Sequence, residues 1–183
     1  MDAAVPDTER EIAFWRAYLA ELKDFTIVDP ACGSGAFLVA AFDEMARRYR
    51  DAVTGLAALG QEIEFDVSDQ IVTGNLHGVD LNPESVEITR LSLWLKTARP
   101  QHKLQNLEAT IKDGNSLIAD PVYAERPFDW RAKFPEVFAR GGFDVVIGNP
   151  PYVRMEYLKA EKPYLAQHYV VADDRTDLYA YFF

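Results

Sequence analysis

The sequence contains one cysteine, three histidines and no long uninterrupted apolar run. The lone Cys32 cannot form an internal disulfide and has no partner cysteine for a zinc site, which is typical of a reducing compartment. His77, His102 and His168 have no spacing typical of a metal site or a catalytic triad, so structural or surface roles are expected for them. No stretch reaches the roughly 18 apolar residues of a membrane-spanning helix, and residues 1–10 lack the pattern of a signal peptide. We therefore expect a cytoplasmic protein with no metal site and no membrane contact.

Positive charge is also scarce. The chain has 19 Lys and Arg against 29 Asp and Glu, for a net charge of -10. Affinity for a phosphate backbone comes chiefly from Lys and Arg, which displace counterions. This chain alone is expected to bind DNA poorly, so either the substrate is not nucleic acid or the basic surface lies in other sequence.

Short β-rich runs alternate with helical patterns along the 183 residues, and a hydrophobic content of 49% is ample for one core. This alternation predicts an α/β fold with a doubly wound, mainly parallel sheet whose ligands lie beyond the carboxyl ends of the strands. The predicted elements are a helix at Glu9–Lys23, a strand at Phe25–Val28, a helix at Ala36–Tyr49, a strand within Gln70–Val79, a helix at Pro83–Ala98, strands at Asn106–Ile111 and Phe143–Gly148, and a helix and loop at Met155–Val170.

The sequence also predicts the structure of three further segments. Gly55–Asp69 is expected to be an insertion, because it lengthens the interval between the first two strands. Asp120–Arg140, rich in aromatic residues, predicts a loop and short helix covering the sheet edge. Asp173 and Asp174 are expected to cap a last helix that reaches Phe183. Because that helix has no C-terminal cap, the chain is expected to be a fragment, truncated at both ends, of a longer protein.

A glycine turn, Asp29-Pro30-Ala31-Cys32-Gly33-Ser34-Gly35, follows the first strand and precedes a helix. Glycines there allow a tight turn and let a ligand approach the backbone. Asp29 can accept from the ammonium group of an amino-acid ligand, while Gly33 and Gly35 line its carboxylate-bearing tail near the helix N-terminus. The turn therefore predicts a site for a small molecule.

Two more aspartates end predicted strands. Asp80 can accept both hydroxyls of a ribose, and Asp113 can accept from an adenine amino group. Leu81 and Leu117 are candidate apolar neighbours of the adenine ring. The 51 residues that separate Asp80 from Asp29 do not favour a plain NAD site, for which roughly 20 are typical.

Asn149-Pro150-Pro151-Tyr152 follows the last predicted strand. The Asn149 side-chain oxygen and the Pro150 carbonyl can each accept a hydrogen bond from one planar amino group. Tyr152 offers an aromatic face to a base removed from a nucleic-acid stack, a contact worth about 1–3 kcal/mol. The motif therefore predicts a site that holds an exocyclic amine.

These motifs, with Gly78-Val79-Asp80-Leu81-Asn82-Pro83 between them, make the chain resemble the N6-adenine DNA methyltransferases of restriction-modification and phage-defence enzymes. The resemblance covers roughly Phe25–Phe183 and implies a Rossmann-like catalytic domain, partial in this chain, that takes S-adenosyl-L-methionine as cofactor and DNA as partner. An upstream cofactor motif and the target-recognition domain of the family are not present in the sequence. The resemblance implies catalytic roles for Asn149, Pro150, Pro151 and Tyr152, and cofactor contacts for Asp29, Pro30, Ala31, Gly33, Gly35, Asp80, Leu81 and Asp113.

The predicted reaction is direct transfer of a methyl group to N6 of a flipped adenine in DNA. Methylation of RNA or of a protein glutamine is an alternative, because Asn-Pro-Pro-Tyr occurs in such enzymes too. A cofactor-binding fragment without turnover is another. An NAD oxidoreductase is a fourth hypothesis, but it leaves Asn149 to Tyr152 without a role.

Overall fold

A computed structural model describes residues 7–100, 103–154, 160–170 and 177–182. The helices and strands in this part of the chain are α1 (Asp7–Asp24), β1 (Ile27–Asp29), α2 (Ala36–Ala58), α3 (Val67–Gln70), a π-helical turn (Ile71–Asn75), β2 (Leu76–Asp80), α4 (Pro83–Thr97), β3 (Ile111–Asp113), α5 (Trp130–Lys133), α6 (Pro135–Ala139), β4 (Val145–Val146), α7 (Lys162–His168) and a 3₁₀ helix (Leu178–Phe182).

The four strands of the described residues form one parallel sheet in the order β3-β2-β1-β4. The chain runs outward from β1 to β2 and β3, and then returns to place β4 on the other side of β1. The direction of winding therefore reverses between β1 and β4, which is where ligands bind in open α/β sheets. The predicted doubly wound, mainly parallel sheet is confirmed.

Helices α1, α2 and α4 bury their inner sides against one face of the sheet. Ile27 of β1, Leu76 of β2 and Ile111 of β3 belong to this main core, together with Leu38 and Met45 of α2. These strand residues alternate with residues that point to the opposite face, as a pleated strand requires.

The opposite face carries the aromatic segment that contains α5 and α6. Val79 of β2 packs with Phe128, Phe134 and Val137 there. This segment was expected to cover the sheet edge, and that prediction is wrong: its aromatic side chains lie on a face of the sheet. His77, on the same face, is buried in edge-on contact with Phe134 and Phe143. Burial lowers the pKa of His77 to about 4, so the ring is neutral and structural, as expected.

Several boundaries differ from the prediction. The third strand, expected at Asn106–Ile111, lies at Ile111–Asp113, because the Leu107 carbonyl accepts from the Thr110 and Ile111 amides and closes a turn first. Helix α2 runs nine residues beyond Tyr49, so the first part of the expected insertion is helix.

Strand β4 is shorter than the apolar run that predicted it, since only Val145 and Val146 pair with β1. The predictions for His102 and for the cap at Asp173 and Asp174 fall outside the described residues, as does the start of the helix and loop expected at Met155–Val170.

Candidate functional site

A cavity of about 420 Å³ lies at the carboxyl ends of the strands. Its size is typical of pockets for small molecules and cofactors, about 300–1,000 Å³. Five segments contribute its walls: the turn after β1, the end of β2, the loop after β3, the turn after β4 and the C-terminal part of the described chain. Its lining residues are Pro30, Ala31, Gly33, Asp80, Leu81, Gly114, Asn115, Ser116, Leu117, Ile118, Asn149, Pro151, Glu161, Leu165, Leu178 and Phe182.

The glycine turn after β1 is held by hydrogen bonds to two other elements, β2 and α4. The Cys32 amide donates to the Val79 carbonyl of β2 (2.9 Å), and the Thr89 hydroxyl of α4 donates to the Gly33 carbonyl (2.9 Å). Gly35 starts α2 with φ +84°, a left-handed conformation that costs other residues about 1–2 kcal/mol. The turn therefore presents Gly33 to the cavity in a fixed position.

Asp80 ties β2 to this turn. Its Oδ2 atom accepts from the Gly33 amide at 2.8 Å, and its Oδ1 atom accepts from the Asn82 amide at 2.9 Å. A carboxylate has about four acceptor positions, so two remain for a ligand. Asp80 is partly exposed and lines the cavity.

Asp29, at the end of β1, is placed differently. Its side chain is 1% exposed and does not line the cavity. Its Oδ1 atom accepts from the Ala31 amide at 3.0 Å. Burial, opposed by the Ala31 bond and aided by the charge of Asp80, raises the pKa of Asp29 to about 6. The neighbouring Cys32 thiol is buried and uncharged, since burial and then the charge of Asp29 raise its pKa to about 12.

The loop after β3 brings a different residue to the cavity than the expected one. Asp113 is exposed and pairs with Arg126 (Nη1 to Oδ2, 3.1 Å), outside the cavity lining. Asn115 lines the cavity instead, and its Oδ1 atom accepts from the Leu117 amide at 3.1 Å. Asp113 therefore lies next to Asp80, its partner in the β2–β3 register, but does not line the cavity.

The residues of the turn after β4 also differ in whether they line the cavity. Asn149 and Pro151 line the cavity, whereas Pro150 is buried and is not part of the lining. Tyr152 is 75% exposed, and its ring centroid lies 5.3 Å from that of Tyr179 at an interplanar angle of 47°. The Leu178 amide donates to the Val153 carbonyl (2.8 Å), which attaches the C-terminal 3₁₀ helix to this turn.

No sequence motif pointed to the residues that close the cavity from the C-terminal side, namely Glu161, Leu165, Leu178 and Phe182. Leu178 and Phe182 lie in an apolar run, which gives no sign of a cavity wall without the fold. Glu161 precedes α7 and brings a second carboxylate to the cavity beside Asp80. No pattern in the sequence distinguished it from a surface charge.

Within the described residues, no group of three or more His, Cys, Asp or Glu residues is arranged to hold a metal ion. Among the described helices, none combines the length and the apolar character needed to cross a membrane.

The chain resembles known proteins over most of its length. It is 25% identical over 167 residues to the type II restriction enzyme and methyltransferase RM.Eco57I of Escherichia coli (78% of this chain, 16% of that protein). It is 28% identical over 160 residues to the adenine-specific methyltransferase PglX of Streptomyces coelicolor (73% and 13%). It is 30% identical over 163 residues to the type II methyltransferase M.BstVI of Geobacillus stearothermophilus (88% and 26%). The chain thus spans about a quarter or less of each relative.

The fold is shared with the type IIL restriction-modification enzyme MmeI, solved in complex with DNA. The TM-score is 0.61 at 22% identity, over 96% of this chain and 23% of that one. Residues 74–183, more than half of the chain, match the domain described as the Eco57I restriction-modification methylase. The chain therefore belongs to the Eco57I restriction-modification methylase family.

Proposed function

We propose that this chain is the catalytic core of an S-adenosylmethionine-dependent enzyme that methylates N6 of adenine in DNA, within a restriction-modification or phage-defence protein. The observation that carries the proposal is one cavity, at the reversal of winding between β1 and β4, lined by both Asp80 and Asn149. A cofactor-side carboxylate and an amine-holding amide thus face a shared space. The names of PglX, RM.Eco57I and M.BstVI support the reaction type.

The cavity suits the adenosine part of the cofactor. The two free acceptor positions of Asp80 fit ribose hydroxyls, and Leu81, Leu117 and Phe182 offer apolar surface to a purine ring. We assign the adenine amino group to Asn115 in place of Asp113, because Asp113 pairs with Arg126 outside the cavity. The Asn115 Oδ1 atom keeps an acceptor position beside its bond to Leu117.

The chain's own contribution to catalysis is to position the nucleophile. S-adenosylmethionine, when bound, supplies an activated methyl group. The lone pair of an exocyclic amine is delocalised into the ring, and acceptors at Asn149 Oδ1 and the Pro150 carbonyl favour the pyramidal nitrogen that attacks. The cofactor would give its methyl group to N6 and leave as a neutral thioether, and the amine would release one proton to solvent. No covalent bond to the protein is required.

Tyr152 supports the choice of a base as substrate. Its ring is exposed beside the turn that carries Asn149, and a flipped base stacked on such a ring gains about 1–3 kcal/mol. The net charge of -10 offers little to the phosphate backbone. We therefore assign most of the DNA affinity to other parts of a longer protein, consistent with the size of the relatives.

The test is a methyl-transfer assay on the longer protein that carries this chain, with labelled S-adenosylmethionine and adenine-containing DNA, followed by digestion of the product. Labelled N6-methyldeoxyadenosine is expected. Asn149→Ala should reduce its formation by at least about a hundredfold while sparing cofactor binding, as for other groups that act on the transition state. Asn106→Ala, at an exposed turn outside the cavity, is the matched control and should retain full activity.

Two results contradict the proposal. One is label in RNA or in protein glutamine but not in DNA, which selects the alternative substrates. The other is transfer to DNA that continues at a near-normal rate in Asn149→Ala. Cofactor binding without transfer to any of the three substrates would assign this chain to the binding fragment without turnover.

A further inference from the structure

The buried carboxyl of Asp29 lies between the two turns that the reaction has to hold in register. Its Oδ1 atom accepts from the Ala31 amide on the cofactor side. On the other side, the Asp29 side chain contacts Gly148, the residue before Asn149. A Cβ atom built on Gly148 would lie only 2.7 Å from Asp29 Oδ1 and 3.3 Å from Cγ. One side chain therefore contacts the backbone of both turns.

The contact between Asp29 and Gly148 leaves no room for a side chain at position 148. Gly148 has φ +155°, and the amide of the preceding Ile147 donates to the Val28 carbonyl of β1 at 2.9 Å. Real Cβ atoms do not approach other atoms to within 3.0 Å, so any other residue at position 148 would displace either the carboxyl or the turn. The position of the Gly148 backbone therefore depends on the position of the Asp29 carboxyl.

A direct role in ligand binding fits Asp29 less well. The side chain is almost fully buried, and the cavity lining includes Ala31 and Asn149, on either side of it, but not Asp29 itself. A group that touches two cavity-lining turns from behind acts on a ligand through those turns.

We propose that Asp29 is a positioning residue, whose carboxyl group sets the Gly148–Asn149 peptide against the glycine turn and so fixes Asn149 relative to the cofactor. This inference deepens the proposed function and rests on it for its catalytic meaning. The coupling between the two turns is a property of the chain alone and holds for any ligand of the cavity.

The charge state of Asp29 provides a readout of this coupling. With a pKa of about 6, Asp29 changes charge in an experimentally accessible pH range. The change alters the surroundings of both turns, because its side chain contacts both. The titratable neighbours are Asp80, whose negative charge raises the pKa of Asp29, and the thiol of Cys32, which stays neutral in this range. Gly148 and Asn149, from the β4 side, do not titrate.

The experiment is a nuclear magnetic resonance titration of the nitrogen-15-labelled chain between about pH 4.5 and 8. The amide signals of Ala31, Gly148 and Asn149 are expected to shift together with one midpoint near 6, and Asp29→Asn should abolish this shared transition. Asp43→Asn, on the exposed side of α2 and outside the cavity lining, is the matched control and should leave it unchanged. Static Gly148 and Asn149 signals in the wild-type chain, or an unchanged transition in Asp29→Asn, would overturn the proposal.

Calorimetric titration with S-adenosylmethionine separates this inference from the proposed function. Asp29→Asn should bind within about threefold of wild type, and Asp80→Ala at least about tenfold more weakly. Equal losses in both variants would make Asp29 a direct ligand and refute the positioning role. If the wild-type chain does not bind the cofactor, the proposed function fails, while the titration still decides whether Asp29 couples the turns.

Discussion

Asp29 and Asp80 end neighbouring strands, yet the sheet gives their carboxyl groups opposite environments. Asp80 reaches the cavity and keeps acceptor positions for a ligand, whereas Asp29 is buried between two turns. Both follow a strand in the sequence, and both were predicted to contact the cofactor. Burial, which separates them, depends on the neighbours β2 and β4 and cannot be derived from either motif alone.

The buried charge of Asp29 makes stability depend on pH in a defined direction. Its folded pKa of about 6 lies above the ordinary value of 3.8, so the proton is bound more tightly in the folded state. The stabilisation is complete below about pH 3.8 and is lost as the pH rises through 6. We expect Asp29→Asn to raise the free energy of unfolding by about 1–3 kcal/mol at pH 7.5, with the gain vanishing near pH 4. Urea unfolding of both proteins at the two pH values measures it, and a gain independent of pH would contradict the account.

The two glycines of the turn, Gly33 and Gly35, should differ in their tolerance of alanine. Both have positive φ, but a Cβ atom on Gly35 would lie 2.9 Å from Thr89 Cγ2 and Oγ1, whereas one on Gly33 meets nothing within 4 Å. We expect Gly33→Ala to cost about 1–2 kcal/mol, from the backbone alone, and Gly35→Ala clearly more. Thermal unfolding of the two variants compares them. A Gly33→Ala cost equal to or larger than that of Gly35→Ala would exclude the proposed contact with Thr89.

At the scale of elements, a buried asparagine joins α1, α2 and the start of β1. Asn75, in the π-helical turn, donates through Nδ2 to the Leu22 and Phe25 carbonyls at 2.7 and 2.6 Å, and accepts from the Tyr49 hydroxyl at 3.1 Å. All its polar atoms are paired, as a buried amide requires. The segment before β2 therefore anchors the helical layer to the sheet that carries the site.

Helix α4 has apolar residues both on the side that faces the core and on the side that faces solvent. Leu93 is 0% exposed in the main core, whereas Leu91 is 53% exposed. Leu93→Ala is expected to destabilise the chain by about 2–5 kcal/mol, and Leu91→Ala to stay within about 0.5 kcal/mol. Denaturant unfolding of this pair of identical substitutions tests the orientation of α4. Similar losses in both would show that α4 is rotated relative to the sheet.

At the scale of the whole molecule, the sequence predicted the alternation of strands and helices because each element carries its own local pattern. The N-cap at Asn82, which accepts from the Glu84 amide, and Pro83 at the first turn set the start of α4 where predicted. The third strand was misplaced because a turn closed by Leu107 competes with it, and that turn has no strong local signal. The aromatic segment was assigned to an edge because the sequence does not show which face of a sheet is bare.

The residues of the candidate site likewise fall into those that local motifs identified and those that only the fold reveals. Motifs next to a strand end identified the turns that line the cavity, including those of Gly33, Asp80 and Asn149. Asp113 and Asn115 are two residues apart, and only the pairing of Asp113 with Arg126 shows which of them faces the cavity. The wall formed by Leu178 and Phe182 comes from a distant segment whose position depends on tertiary packing.

The central claim, that this cavity holds S-adenosylmethionine through Asp80, is tested most directly by calorimetric titration of the chain with S-adenosylmethionine and, in parallel, NAD. We expect saturable binding of S-adenosylmethionine alone, weakened by at least about tenfold, or 1.4 kcal/mol, in Asp80→Ala. Asp43→Ala should bind normally, since Asp43 lies on the exposed side of α2, outside the cavity lining. Preference for NAD, or full affinity for S-adenosylmethionine in Asp80→Ala, would contradict the account.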